Sequence, residues 1–138
     1  MVEFIEAAAA VAWPPTESLT LGSWTLSAGD GFSRRRNSTV PAGPLPEDLE
    51  RRYGDVEAWY RVRGLPTLYR ITPLCDPAID GLLVDRGLVL EAPTLVMSRP
   101  LEITEPVEGV TESPVATSAW VETELAALDI DRSSVGPW

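Results

Sequence analysis

An α/β domain with a mixed sheet, antiparallel at its front and helix-connected behind, is the fold class this sequence predicts. Three observations lead there. The chain has 138 residues and is 44% hydrophobic, enough for one modest core and too little for two domains of ordinary size. Two early runs, Ser18 to Ala28 and Phe32 to Val40, flank the turn signal Gly29-Asp30-Gly31 and read as a hairpin. Beyond them the apolar spacing changes from two to three or four, and helical and extended segments alternate, as in helix-connected strands.

Taken in order, Val2 to Trp13 is alanine-rich, with Phe4, Ile5, Ala8 and Ala12 as a narrow apolar stripe, and Pro14 and Pro15 end it. It reads as a first helix. Leu19, Leu21, Trp24, Leu26 and Ala28 alternate with small polar residues, which predicts a half-buried strand with an irregularity at Gly22. Residues 41–46 hold Pro41, Pro44 and Pro46 and form a loop. A helix from Pro46 or Glu47 to Arg63 follows, its apolar positions Leu49, Tyr53, Val56 and Trp59 or Tyr60 three and four apart, with Gly64 as the stop. Thr67 to Thr72 reads as a short strand. Asp76 or Pro77 opens a second crossover helix through Asp85, with Ile79, Leu82 and Leu83 on one face and Gly87 closing it. Leu88 to Leu101 reads as one or two strands broken at Ala92-Pro93. After Leu101 the chain becomes acidic and threonine-rich, with a short helix expected from Ser118 through Leu128. We therefore expect a domain over residues 1–101 and an acidic linker or arm over 102–138 that leads to or docks on a second domain, or alternatively wraps its own.

Composition removes whole chemistries. There is no histidine, no glutamine and no lysine, and all eleven basic residues are arginine. A Ser-His-Asp triad, a histidine base, a His-containing zinc site, a P-loop lysine and a Schiff-base lysine all need side chains absent here. A net charge of −10 argues against a nucleic-acid binder. One cysteine, Cys75, makes no internal disulfide and no metal site unaided. Glu3 and Glu6 stand where a secretory leader would be basic, and no run reaches the ~20 apolar residues of a membrane span. A cytoplasmic protein with no membrane or metal partner is expected. The charge is local: residues 101–138 carry eight acids against Arg132 alone, whereas residues 31–70 carry eight arginines against five acids.

Four strings in one order, Glu6 to Pro14 (EAAAAVAWP), Gly22 to Leu26 (GSWTL), Gly31 to Ser38 (GFSRRRNS) and Trp59 to Pro66 (WYRVRGLP), resemble the N-terminal half of certain bacterial GNAT (GCN5-related) N-acetyltransferases. The resemblance covers residues 4–101. It implies a GNAT-like, acyl-CoA N-acyltransferase-like mixed sheet with helices on both faces. It also implies a parent protein that transfers an acetyl group from acetyl-CoA to a small amine, with a second GNAT domain in the same chain or a homodimer mate. GNAT domains hold the CoA pyrophosphate on backbone N–H groups in an Arg/Gln-x-x-Gly-x-Gly/Ala loop before the helix that follows the central strand. Here that stretch is Val40-Pro41-Ala42-Gly43-Pro44-Leu45-Pro46. Its three prolines remove three donors, so Val40 and Gly43 are what remains of a cofactor contact. This segment is expected to be the divergent half, binding CoA weakly or not at all and inactive alone.

Strand alternation would gather Arg34, Arg36 and Ser38 on one face. Those arginines either salt-bridge to Glu47, Asp48 or Glu50, or meet an anionic substrate, a CoA phosphate or a second half. Asn37, the sole asparagine, either bonds a loop backbone or touches ligand. Trp24, Trp59 and Tyr60 form a helix-on-sheet core, or Tyr60 and Arg63 wall a substrate groove. For proton transfer, Glu57, Glu91, Tyr53 and Tyr69 are the chemically sensible candidates, with no spacing rule to choose among them. Cys75 precedes a helix and is either a packed loop cysteine or a thiol of lowered pKa. The rival readings are a non-catalytic binding module with this fold and a complete minimal acetyltransferase.

Overall fold

A computed structural model describes residues 1–29, 33–97, 99–100 and 113–127. They belong to two compact units, Met1–Thr94 and Leu95–Trp138. In the first, α1 (Val2–Ala12) leads to β1 (Glu17–Leu21) and β2 (Trp24–Ala28). A 3-10 turn at Arg35–Asn37, β3 (Thr39–Val40), α2 (Leu49–Val62) and α3 (Ile79–Asp85) follow. The second unit holds α4 (Ser118–Ala127), whose buried members are Val121 and Leu125. Leu128, expected to close that helix, lies outside the described residues.

The sheet has the order β1-β2-β3 with antiparallel neighbours. Where the sequence predicts one strand kinked at Gly22, the structure has a hairpin: Leu21 pairs with Trp24 and Gly22-Ser23 is the turn between them. Gly22 has φ +63°, open to glycine at little cost, and a Cβ there would lie 2.6 Å from Arg52 Nη1. The second hairpin strand expected over Phe32 to Val40 shrinks to Thr39–Val40, because Arg35–Asn37 coils into a 3-10 turn. Of the turn signal Gly29-Asp30-Gly31, Asp30 and Gly31 lie outside the described residues.

Beside β3 the segment at Tyr69 runs parallel. The Thr39 N–H donates to Leu68 O at 2.8 Å and the Arg70 N–H to Thr39 O at 2.8 Å. The expected strand Thr67 to Thr72 is thus one bridge long, and α2 is the crossover that makes the pairing parallel. No strand forms among the described residues of 88–100. Ala92 sits at φ +48° before Pro93, and Val89, Leu90, Leu95, Val96 and Met97 are exposed. An apolar run without a neighbouring strand leaves its backbone to solvent.

The core follows the apolar spacing. Trp24 and Leu26 of β2 meet Tyr53, Val56 and Tyr60 of α2 and Ile79 and Leu83 of α3. Glycines end both helices: the Leu65 N–H reaches Tyr60 O and the Leu88 N–H reaches Leu83 O, each at 3.1 Å, across Gly64 (φ +66°) and Gly87 (φ +86°). α1 is rotated from its expected stripe. Val2, Ile5, Glu6 and Ala9 are its half-buried side, and Phe4 is 76% exposed. The cause is a tertiary ion pair, Arg70 Nη1 to Glu6 Oε2 at 2.5 Å, which brings a carboxylate to the covered face.

Tyr60 is fully buried at the centre. Its hydroxyl donates to Ser27 O at 3.0 Å and accepts from Ser27 N–H and Thr39 Oγ1, both at 3.3 Å. Tyr60→Phe therefore leaves the buried Thr39 hydroxyl of β3 without its partner and removes the donor to Ser27 O of β2. We expect it to lower stability by about 1–3 kcal/mol with an unchanged denaturant slope, measured by urea unfolding; an unaltered midpoint would show the hydroxyl is dispensable.

Candidate functional site

Three places hold the residues to which the sequence assigns chemistry. The first is the arginine turn. Arg34 and Arg35 are exposed there, so the alternating strand face that would gather Arg34, Arg36 and Ser38 does not exist. Arg34 Nη2 meets Glu91 Oε2 at 3.2 Å with both side chains more than 60% exposed. None of the expected partners Glu47, Asp48 or Glu50 is involved in that pair. Arg36 Nη2 donates to Thr16 Oγ1 at 3.3 Å. Asn37 is buried, and its amide spans the turn: Oδ1 accepts from the Gly29 N–H at 2.8 Å and Nδ2 donates to Ser33 O at 2.7 Å. Both ends of that side chain are committed to loop backbone, which explains an asparagine beside a strand.

The second place is the β3–α2 loop. Pro41 is buried. Gly43 has φ +79°, its N–H donates to Leu74 O at 2.8 Å, and the Ala42 N–H donates to Val40 O at 3.0 Å. Ala42 and Gly43 both bridge to Cys75. Cys75 Sγ in turn lies 3.4 Å from the Thr72 N–H that donates to it, so this cysteine is packed into a loop. Asp48 precedes α2 without capping it. Its carboxylate is bound instead by Arg51, which holds it below the usual carboxylate range by a direct hydrogen bond.

The third place is the α2 face. Tyr53 and Tyr69 pack edge to face at 6.0 Å, and both rings pack on Trp24 at 5.9 and 6.2 Å. Their hydroxyls are buried with no hydrogen-bond partner among the described residues. Desolvation raises both phenols above the ordinary tyrosine range, and Tyr60 likewise. Such groups keep their protons at neutral pH, but Tyr53 is 1% exposed, so solvent does not reach it. Glu57 accepts from Arg86 Nη2 at 3.1 Å. Arg63 does not face a groove with Tyr60: its guanidinium lies 3.7 Å from the Trp59 ring centroid, donates to Trp59 O at 2.7 Å and binds Glu17 through Nε at 2.9 Å. That bond lowers the Glu17 pKa and raises that of Arg63.

Sequence reading passed over Arg52 and Arg86. Arg52 donates to Leu21 O and faces the Trp24 ring, while Arg86 binds Glu50 at 2.6 Å and Glu57 and lies 4.4 Å from the Tyr53 centroid. Apart from the i,i+4 contact of Arg52 with Asp48, no local spacing announces either, since Leu21 lies 31 residues from Arg52, and Glu57 and Glu50 lie 29 and 36 from Arg86. Tyr53, Tyr69 and the Arg86-bound Glu57 lie around one face of α2, whereas Glu91 is engaged by Arg34. Among the described residues no group of three or more Cys, Asp or Glu is placed to hold a metal, and no helix is long and apolar enough to cross a membrane.

Relatives supply the class that this geometry leaves open. The chain is acetyltransferase-related: a family model described as "Probable histone acetyltransferase Rv0428c C-terminal" matches residues 2–135, and the chain belongs to that family. It is also 32% identical over 82 residues to "Uncharacterized N-acetyltransferase YobR" of Bacillus subtilis (strain 168), a match covering 59% of this chain and 32% of that protein. The chain thus spans about a third of the curated relative it matches. No solved structure matches.

All three tyrosines of the chain have folded pKa values above the unfolded value, so their burial contributes stability that is present below the unfolded pKa of about 10 and is lost as pH rises through the folded values. Spectrophotometric titration of the phenolate band should show ionisation delayed beyond that of a denatured control and coupled to unfolding. Ordinary titration of all three in the folded protein would contradict their burial.

Proposed function

We propose that this chain serves the transfer of an acetyl group from acetyl-CoA to a small amine, as the divergent GNAT-like half of an N-acetyltransferase whose cofactor is held chiefly by a second half or a partner copy. The observation that carries this reading is the match to an acetyltransferase family along residues 2–135. The described architecture is compatible: a hairpin, a third antiparallel strand, a crossover helix and a parallel segment. The burial of Tyr53 and the engagement of Glu57 by Arg86 and of Glu91 by Arg34 favour a supporting share in catalysis over a complete site. Arg34 and Arg35, exposed on one turn, are the side chains best placed to meet an anionic substrate group or a partner surface.

A second reading, a non-catalytic binding module, is favoured by one feature: the candidate proton donor Tyr53 is buried in the core and the candidate base Glu57 is engaged by Arg86. An acetyl-transfer assay with a panel of small amines separates the two. We expect no turnover by this chain alone, and turnover once a second half or partner copy is supplied. In that assembly Arg34→Ala should raise KM for the amine or reduce activity several-fold, with thermal stability unchanged because its ion pair with Glu91 is solvent-exposed. Inactivity of that assembly on every amine would favour the binding module.

A further inference from the structure

We infer that the β3–α2 loop is a structural latch with no seat for a diphosphate. The choice of ligand rests on the acetyl-transfer reading, whereas the latch rests on the loop's own geometry. An anion cradle needs several backbone N–H groups converging outward on one point, with glycines that let the ligand approach. In Val40–Pro46 three of the seven residues are prolines and have no N–H. The amides of Ala42 and Gly43 are both satisfied inside the protein, by Val40 O and Leu74 O. The Gly43 bond is the important one. It uses the single loop glycine, at φ +79°, to tie the end of β3 to the Thr72–Cys75 turn, where Cys75 bridges to both Ala42 and Gly43. A Cβ on Gly43 would come within 3.3 Å of Ser23 Oγ, so this glycine lies close against the β1–β2 turn.

Electrostatics point the same way. The first turn of α2 is the other place a diphosphate could sit, and the chain sets Glu47, Asp48 and Glu50 around it. Own carboxylates complement the positive end of the helix and repel a ligand of like sign. Of the two arginines in that turn, Arg51 is bound to Asp48 and lies near Asp55, and Arg52 is turned inward to Leu21 O. Neither is directed at a ligand on the loop.

The test uses the isotopically labelled full chain, titrated separately with coenzyme A and with inorganic pyrophosphate, while the amide resonances of residues 42–51 are followed and hydrogen exchange is measured on the same protein. We expect no saturable shift in those resonances through millimolar ligand. The Gly43 amide should exchange about 100-fold or more slowly than an unprotected amide, as a hydrogen-bonded group in a packed loop does. Gly43→Ala should speed exchange at Leu74 and Cys75 by about tenfold or more through loss of the positive-φ turn. Saturable shifts centred on Ala42–Arg51, or a Gly43 amide exchanging at the unprotected rate in the natural sequence, would overturn the inference. The natural-sequence exchange rate decides even if the Gly43→Ala variant does not fold. Absence of acetyl transfer by the chain together with a second half or partner copy would count against the functional reading and leave these outcomes unaltered.

Discussion

The packing of α2 across β2 is the constraint on which the rest of the first unit depends. Trp24 and Leu26 offer the sheet's apolar face, Tyr53, Val56 and Tyr60 offer the helix's, and every one of them is at most 1% exposed. Because β3 contributes only two residues to the sheet, backbone pairing alone cannot position it. The Tyr60 hydroxyl does so from the helix, bonding Ser27 of β2 and Thr39 of β3 together. Thr39 then carries both bonds to the parallel Tyr69 segment. One phenol therefore links hairpin, crossover helix and fourth segment.

Around that centre the elements are joined by arginine. Arg52 ties α2 to the end of β1, Arg63 ties the end of α2 to the start of β1, Arg70 ties the Tyr69 segment to α1, and Arg86 ties α3 to α2. Three of these guanidiniums also lie over aromatic rings, of Trp24, Trp59 and Tyr53. A flat, permanently charged fork can donate to a carbonyl or carboxylate while stacking on a ring, and a lysine ammonium cannot do both in the same way. The absence of lysine, which in the sequence merely excludes chemistries, thus has a structural counterpart. Four of the eleven basic residues are joints of this kind, whereas Arg34, Arg35, Arg51 and Arg61 are exposed.

Much of the fold was legible because it rests on local patterns. The three- and four-residue spacing in Leu49, Tyr53, Val56 and Tyr60, and in Ile79 and Leu83, marks helix faces whatever they pack on, and Gly64 and Gly87 mark their ends. The strands were less legible. Gly22 read as a kink and is a turn, since alternation is the same on both sides of a two-residue hairpin loop and the register cannot be told from it. Arg34 to Asn37 read as strand and coils instead, because the Asn37 side chain binds Ser33 and Gly29 backbone and offers the chain an alternative to pairing. The candidate site was legible only as residue types. Which carboxylate is engaged, and which phenol is buried, depends on partners such as Arg86 that lie far off in the chain.

By itself the sequence determined the class of element at each helix, the apolar side of β2, the chemistries excluded by missing histidine and lysine, and the likeness to acetyltransferases. These depend on composition and short-range order, which need no neighbour to be expressed. Only the tertiary structure decided that the Leu88–Met97 run forms no strand among its described residues, that α1 turns Glu6 toward Arg70, and that Gly43 spends its amide on Leu74. Each of those outcomes depends on whether a distant backbone or charge arrives to satisfy a polar group, and that is settled by packing.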